Sequence, residues 1–251
     1  MMRLAERMSR LGTETAFEVL VRARALEAQG REVIHLEIGE PDFDTPRHIV
    51  EAAVEALRRG ETHYTPSAGI LPLRQAIAEE MYKTRGLKVD PDQVVVVPGG
   101  KPIMFFAILA LCEPGDEVVY PNPGFPIYES MINFSGAKAV PSPLRMKNNF
   151  RVDTDELRTL VNKRTKLIII NSPANPTGGI LTLDDLKAIA QIAIETECWV
   201  LADEIYSRIL YSGEHHSIAT LPGMEERTII LDGFSKTYAM TGWRLGYGVM
   251  P

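Results

Sequence analysis

From residue 94 onward, short apolar runs alternate with segments whose apolar residues recur at helical spacing. The runs predict strands at Val94–Val97, Glu117–Tyr120, Ala137–Val140, Leu167–Asn171, Trp199–Asp203, Thr228–Asp232 and Arg244–Val249. Several are continuous rather than alternating, as in "KLIIIN", which is how a strand covered on both faces reads. Helices are predicted at Phe17–Gln29, Arg47–Arg59, Leu71–Arg85, Lys101–Leu111 and Thr182–Thr196. In the last, Leu183, Leu186, Ile189, Ala190, Ala193 and Ile194 share one face, and Thr182 with Asp185 forms a capping pair at its start. Leu4, Met8 and Leu11 suggest a further short amphipathic helix near the N-terminus. Strand–helix alternation of this kind predicts an α/β fold in three layers: a mostly parallel seven-stranded sheet with helices on both faces.

Composition narrows the function classes. The chain has 251 residues, 45% of them hydrophobic, enough for one large domain or one and a half smaller ones with a full core. The formal charge is −6, from 27 basic and 33 acidic residues. That balance argues against nucleic acid as a partner, because phosphate backbones call for basic stripes. No apolar run approaches a membrane span, and "MMRLAERMSRLG" lacks the apolar middle of a signal peptide. Cys112 and Cys198 sit in apolar stretches without metal-ligand spacing. They are expected to be buried, reduced thiols, with the cytoplasm as the natural compartment.

In a parallel sheet, ligands collect at the carboxyl ends of the strands. Gly99–Gly100, Asn171–Asn175, Asp203 and Lys236 each follow or end a predicted strand and are expected to gather on that edge. Lys236 lies in "DGFSKTYAMTGWRLGY", eight residues before Arg244. It reads either as a solvated loop lysine or as a lysine that forms an imine, beside an arginine that holds a phosphate. Asp203 either caps the segment after its strand or faces a cationic ring nitrogen. The second arrangement would bring roughly 4 kcal/mol at ~4 Å and an effective dielectric of ~20. Asn175, in "NSPANPTGG", lies in a turn that would aim its amide into a cleft. Tyr206 would share a face with Asp203 if a helical turn follows the strand, and its phenol could then donate to an anionic oxygen.

Gly99-Gly100-Lys101 opens a helix, so free N–H groups and the helix dipole would favour an anion there. It is not a Walker A loop, because Val95 stands where the earlier glycine belongs and no Ser or Thr follows Lys101. Phe125, held between Gly124 and Pro126, either stacks on a flat ligand or anchors its loop in the core. His215-His216, in "SGEHHS", reads as a surface loop. No metal-ligand motif and no nucleophile elbow appears in the sequence.

Taken together, these segments resemble the pyridoxal-phosphate-dependent aminotransferases of fold type I, class I and II, and within them the aspartate-aminotransferase-like subgroup. The likeness runs through "EIGEPDFDTP", "HYTPSAGILPLRQAI", "PGGKPIMFFAI", "NSPANPTGG", "ADEIY" and "GFSKTYAMTGWRLGY". The resemblance implies the large cofactor domain of that fold and transfer of an amino group between an amino acid and a 2-oxo acid. By similarity, Lys236 would join pyridoxal 5'-phosphate as an imine and later move the Cα proton. Asp203 would pair with the ring nitrogen, Asn175 and Tyr206 with the ring's phenolic oxygen, and Phe125 would stack on the ring. Arg244 and the amides around Gly100–Lys101 would hold the phosphate. Gly39 would contact the substrate carboxylate together with Asn175, and Tyr64 would reach the phosphate of a neighbouring subunit, implying a homodimer.

The chain departs from the family pattern at Gly233, where many relatives place a phosphate-binding serine; Ser235 could compensate. Family members also continue past "GYGVMP" into a small domain. The expected organisation is therefore an N-terminal arm with part of the small domain over residues 1–45 and the cofactor domain over 46–251. A chain of this kind is expected to be impaired in turnover. Lys101 resembles a lysine that meets the distal carboxylate of acidic substrates such as aspartate. Two other readings share the motifs: a non-catalytic cofactor-binding or regulatory module, and a β-lyase.

Overall fold

The computed structural model describes residues 3–12 and 15–251. Seven strands form one sheet: β1 (Val94–Val97), β2 (Glu117–Asn122), β3 (Lys138–Pro143), β4 (Thr165–Asn171), β5 (Trp199–Asp203), β6 (Thr228–Gly233) and β7 (Gly246–Val249). Their spatial order is β1-β7-β6-β5-β4-β2-β3. Only β7 is reversed, pairing antiparallel with both β1 and β6.

The helices are α1 (Thr15–Glu27), α2 (Arg47–Arg58), α3 (Leu71–Arg85), α4 (Lys101–Leu111), α5 (Ile127–Ser135), α6 (Thr154–Leu160) and α7 (Leu183–Glu195). The expected helix around Met8 is a single 3-10 turn, Glu6–Arg10. α5 and α6 are not evident in the periodicity, because each is short. α6 is set instead by its cap, Asp153, which accepts from the Glu156 amide. α7 begins with the expected reciprocal cap between Thr182 and Asp185.

The continuous apolar strands serve two cores. On β4, Ile168 and Ile170 pack with Leu186, Ile189 and Ile192 of α7. Leu167 and Ile169 point the other way, to Met104 and Ile108 of α4 and Ile132 of α5. α3 lies on the same face as α7 and packs Ile77 and Met81 against Val94, Ile230 and Tyr247. Truncating one of these fully buried leucines or isoleucines to alanine removes about 2–5 kcal/mol. The three layers predicted from sequence are present. Cys112 and Cys198 are both free thiols and buried, and burial pushes the Cys112 thiol up to about 12.

The register places the chemistry. Asn171 of β4 is abreast of Asp203 of β5, and Asp203 is abreast of Leu231 of β6. Because β7 is reversed, its first residue, Gly246, pairs with the last residues of β1 and β6, Val97 and Gly233. The loop that enters β7 therefore lies on the same edge as the loops that leave the other strands. This corrects the expected strand Arg244–Val249: Arg244 precedes β7, with a left-handed backbone (φ 54°) that ends the preceding turn.

Candidate active site

A cleft of about 790 Å³ opens at the carboxyl edge. Gly39, Gly100, Lys101, Phe125, Asn175, Asp203, Tyr206, Lys236 and Arg244 all line it. Of the cofactor and substrate residues implied by the resemblance, Tyr64 alone lies elsewhere, fully exposed.

Asp203 is buried at the end of β5. Its Oδ2 accepts a 2.6 Å hydrogen bond from the Tyr128 hydroxyl, and its Oδ1 accepts from the Ile205 amide at 3.3 Å. Burial pushes the carboxyl up to about 6, while the Tyr128 and Ile205 hydrogen bonds pull the other way. A buried acid at such a value ionises readily once a positive group is brought to it. Tyr128 is the main site residue that the sequence did not reveal, because it sits on the unanticipated α5. Asn171 is another: its Nδ2 donates to the Asp203 carbonyl at 3.0 Å, and its Oδ1 accepts from the Asn175 amide at 2.7 Å. Asn171 thereby ties the Asn175 turn, which contains cis bonds at Ser172–Pro173 and Asn175–Pro176, to the end of β5.

Tyr206 follows Asp203 in a tight turn rather than a helix: the amides of Ser207 and Ile209 donate to the carbonyls of Glu204 and Tyr206, both at 2.8 Å. Lys236 lies in a turn after β6. Its Nζ donates to the Gly39 carbonyl at 2.5 Å and sits 5.6 Å from the centre of the Tyr206 ring. The loop around Gly39 is latched to the lysine segment by three more contacts, one of them from Thr45 Oγ1 to the Ala239 carbonyl at 2.5 Å. Thr241 Oγ1 donates to Glu40 at 3.0 Å, and Trp243 Nε1 donates to Thr45 Oγ1 at 3.0 Å. Phe125 packs edge-on against Tyr128, with ring centres 5.8 Å apart. Lys101 Nζ lies 5.4 Å from the Phe125 ring and 5.8 Å from the Phe17 ring of α1.

The anion cradle is built from backbone. Gly100 caps α4, and Gly100 and Lys101, at this helix start, line the cleft. Arg244 donates from Nη1 to the Thr241 carbonyl at 2.8 Å. Its other amino group lies so close to Gly99 that a Cβ there would come within 2.1 Å of Nη2. Gly99 also has φ +80°, so both its backbone and its surroundings demand glycine. Guanidinium and helix start are thus held side by side, a donor set suited to a phosphate.

His215 requires a correction. It is not on the surface: its side chain packs inward, with Nε2 3.2 Å from the buried Glu204. The hydrophilic run "SGEHHS" conceals a buried partner.

The family model for aminotransferase class I and II matches residues 31–251. The chain belongs to this family. It is 42% identical over 236 residues to arginine–pyruvate transaminase AruH of Pseudomonas aeruginosa, covering 94% of this chain and 60% of that protein. It is 46% identical over 223 residues to an aspartate aminotransferase of Pyrococcus abyssi, covering 88% of this chain and 57% of that one. The solved aspartate aminotransferase from Thermus thermophilus with maleate superposes with a TM-score of 0.97 at 39% identity, over 100% of this chain and 65% of that one. The chain thus spans about 60% of the length of the curated relatives it matches. Class I and II family members use pyridoxal phosphate. Among the described residues, no helix is long and apolar enough to cross a membrane.

The residues fit that cofactor. The cleft offers an amine, a buried acid, a half-buried aromatic side chain and a glycine-walled arginine beside a helix start.

Proposed function

We propose that this chain carries the cofactor-binding active site of a pyridoxal-phosphate-dependent aminotransferase, which moves an amino group between an amino acid and a 2-oxo acid. The observation that carries this reading is the convergence of Lys236, Asp203 and the Gly99–Arg244 cradle in one cleft. When bound, the cofactor supplies an aldehyde that condenses with amines and a protonated ring that withdraws electrons.

The chain's own residues hold and prepare that chemistry. Asp203, ionised against a positive ring nitrogen, would keep that nitrogen protonated, with Tyr128 orienting the carboxylate. Asn175 and Tyr206 would hold the ring oxygen, and Phe125 would pack on the ring. Arg244 and the amides of Gly100 and Lys101 bind the phosphate. Lys236 Nζ, once deprotonated, would take the proton from the substrate Cα and deliver that same proton to the cofactor carbon, ending neutral again. Gly39 and Asn175 receive the substrate carboxylate.

We assign the substrate side of the cleft to an acidic amino acid met by Lys101. The cation stands at the mouth between Phe17 and Phe125, and the Thermus thermophilus relative is described with maleate, a dicarboxylate. The exposed Tyr64 serves a neighbouring subunit in a homodimer. Residues 1–45 belong with the small domain, residues 46–251 form the cofactor domain, and the protein works in the cytoplasm.

The test is spectroscopic and chemical. Adding pyridoxal phosphate should produce a visible absorption band that is lost in Lys236→Ala. Addition of an amino acid and a 2-oxo acid should yield the exchanged pair rather than ammonia. A band that survives in Lys236→Ala refutes the role of the lysine; ammonia release refutes transamination.

A further inference from the structure

A charged cluster lies behind the cleft, on the α3 face of the sheet. Arg85, the last residue of α3, donates from Nε to Glu204 Oε2 at 2.6 Å and from Nη2 to Asp232 Oδ2 at 2.5 Å. It also donates from Nη2 to Ser207 Oγ at 3.2 Å. The three charged side chains are only 4–6% exposed. Each carboxylate oxygen has a partner. Glu204 Oε1 accepts from Ser217 at 2.6 Å, and Oε2 also meets His215 Nε2 at 3.2 Å. Asp232 Oδ1 accepts from the Gly233 amide at 2.7 Å.

Stability is a weak reason for such a cluster, since buried ion pairs repay little more than their own desolvation. Its location suggests another. Glu204 directly follows Asp203, and Asp232 comes four residues before Lys236. Successive side chains of an extended segment point to opposite sides. Asp203 therefore faces the cleft while Glu204 faces Arg85, at the ends of the neighbouring strands β5 and β6. A guanidinium is a planar fork with fixed spacing between its donors.

Building on the aminotransferase reading, we propose that Arg85 is a positioning residue. By gripping Glu204 and Asp232 together, it sets the separation of Asp203 and Lys236, the two groups that must reach opposite ends of one rigid ring. Misplacement by about 1 Å at such a site costs on the order of a hundredfold.

Arg85→Lys keeps the charge and loses the fork; Asp232→Asn keeps the shape, cuts one link and carries the test where Arg85→Lys does not fold. Each is compared, in the full-length protein, with Ile192→Val, a change in the remote core on the α7 side, at equal thermal stability of the cofactor-free form. The expected result is a Kd for pyridoxal phosphate raised by roughly tenfold or more. The pH midpoint of the Lys236-dependent absorption band should also shift, and neither change should appear in Ile192→Val. If wild type binds with its lysine-dependent band and the cluster variants behave as Ile192→Val does, Arg85 has no positioning role and the aminotransferase reading stands. If wild type forms no such band, the aminotransferase reading fails and this role fails with it.

Discussion

The hydroxyl of Tyr128 and the carboxylate of Asp203 form a 2.6 Å hydrogen bond between two buried groups that line the cleft. The Tyr128 hydroxyl and the Ile205 amide do not replace the hydration that Asp203 loses, so burial leaves its carboxyl at about 6 against an ordinary 3.8. A group raised in this way binds its proton more tightly folded than unfolded. Its stabilising contribution is complete below about pH 4 and is lost as the pH rises through about 6. The shift corresponds to a penalty on the order of 3 kcal/mol at neutral pH. Without cofactor, Asp203→Asn should therefore be more stable than wild type at pH 8, with the gap closing toward pH 4. Urea unfolding of both proteins across that range measures it. Comparing the pair cancels Glu204, whose carboxyl Arg85 and its hydrogen bonds hold at about 2, outside this window. A gap that does not change with pH would show that Asp203 is already ionised without strain.

Gly99→Ala tests the cradle. The new methyl would fall 2.1 Å from Arg244 Nη2, at a backbone position with φ +80°, so the guanidinium must move. Affinity for pyridoxal phosphate should drop by about tenfold or more, as expected for losing a charge-assisted contact of roughly 1.5–3 kcal/mol. Affinity for pyridoxal, which lacks the phosphate, should hardly change. Titration with the two compounds separates these outcomes, and an equal loss for both would move Arg244 away from the phosphate.

Much of this site was legible because its residues sit at strand ends, and strand ends can be read from apolar runs. β1, β5, α3 and α4 begin and end where the pattern places them. What was not legible depends on distant partners. Nothing local distinguishes Tyr128 from an ordinary helical tyrosine; its partner Asp203 is 75 residues away. His215 sits in a polar run that reads as surface until Glu204 is known to be buried. Arg244 reads as part of a strand until its left-handed backbone is seen. Each of these depends on tertiary contacts that periodicity does not encode.

Lys101→Ser should separate acidic from neutral amino acids. The ammonium sits between the Phe17 and Phe125 rings, where it can meet a second carboxylate of the substrate. In the full-length protein, kcat/KM for aspartate should fall by roughly tenfold to a hundredfold, the worth of one charge-assisted contact. Alanine turnover and the absorption band should be retained. Parallel loss for aspartate and alanine would reassign Lys101 to the phosphate side.

Gly233 is the position where a serine would be expected to help bind phosphate, and the packing opposes it. A Cβ at Gly233 would meet the Gly246 Cα at 2.9 Å and the Leu245 carbonyl at 3.3 Å. Both neighbours are backbone at the entry to β7 and cannot rotate away as a side chain could. Gly233→Ser should therefore destabilise the protein by about 1–3 kcal/mol, the usual cost of overpacking, and should weaken binding of the phosphate by pushing the Arg244 loop outward. Ser235, by contrast, already lines the cleft. Ser235→Ala should leave thermal stability unchanged and lower the affinity for pyridoxal phosphate severalfold, as loss of a single hydroxyl donor does. Melting curves and cofactor titrations of the two variants make the comparison. A stable Gly233→Ser protein that binds more tightly than wild type would mean that the backbone at β7 yields and that Ser235 does not substitute for the missing serine.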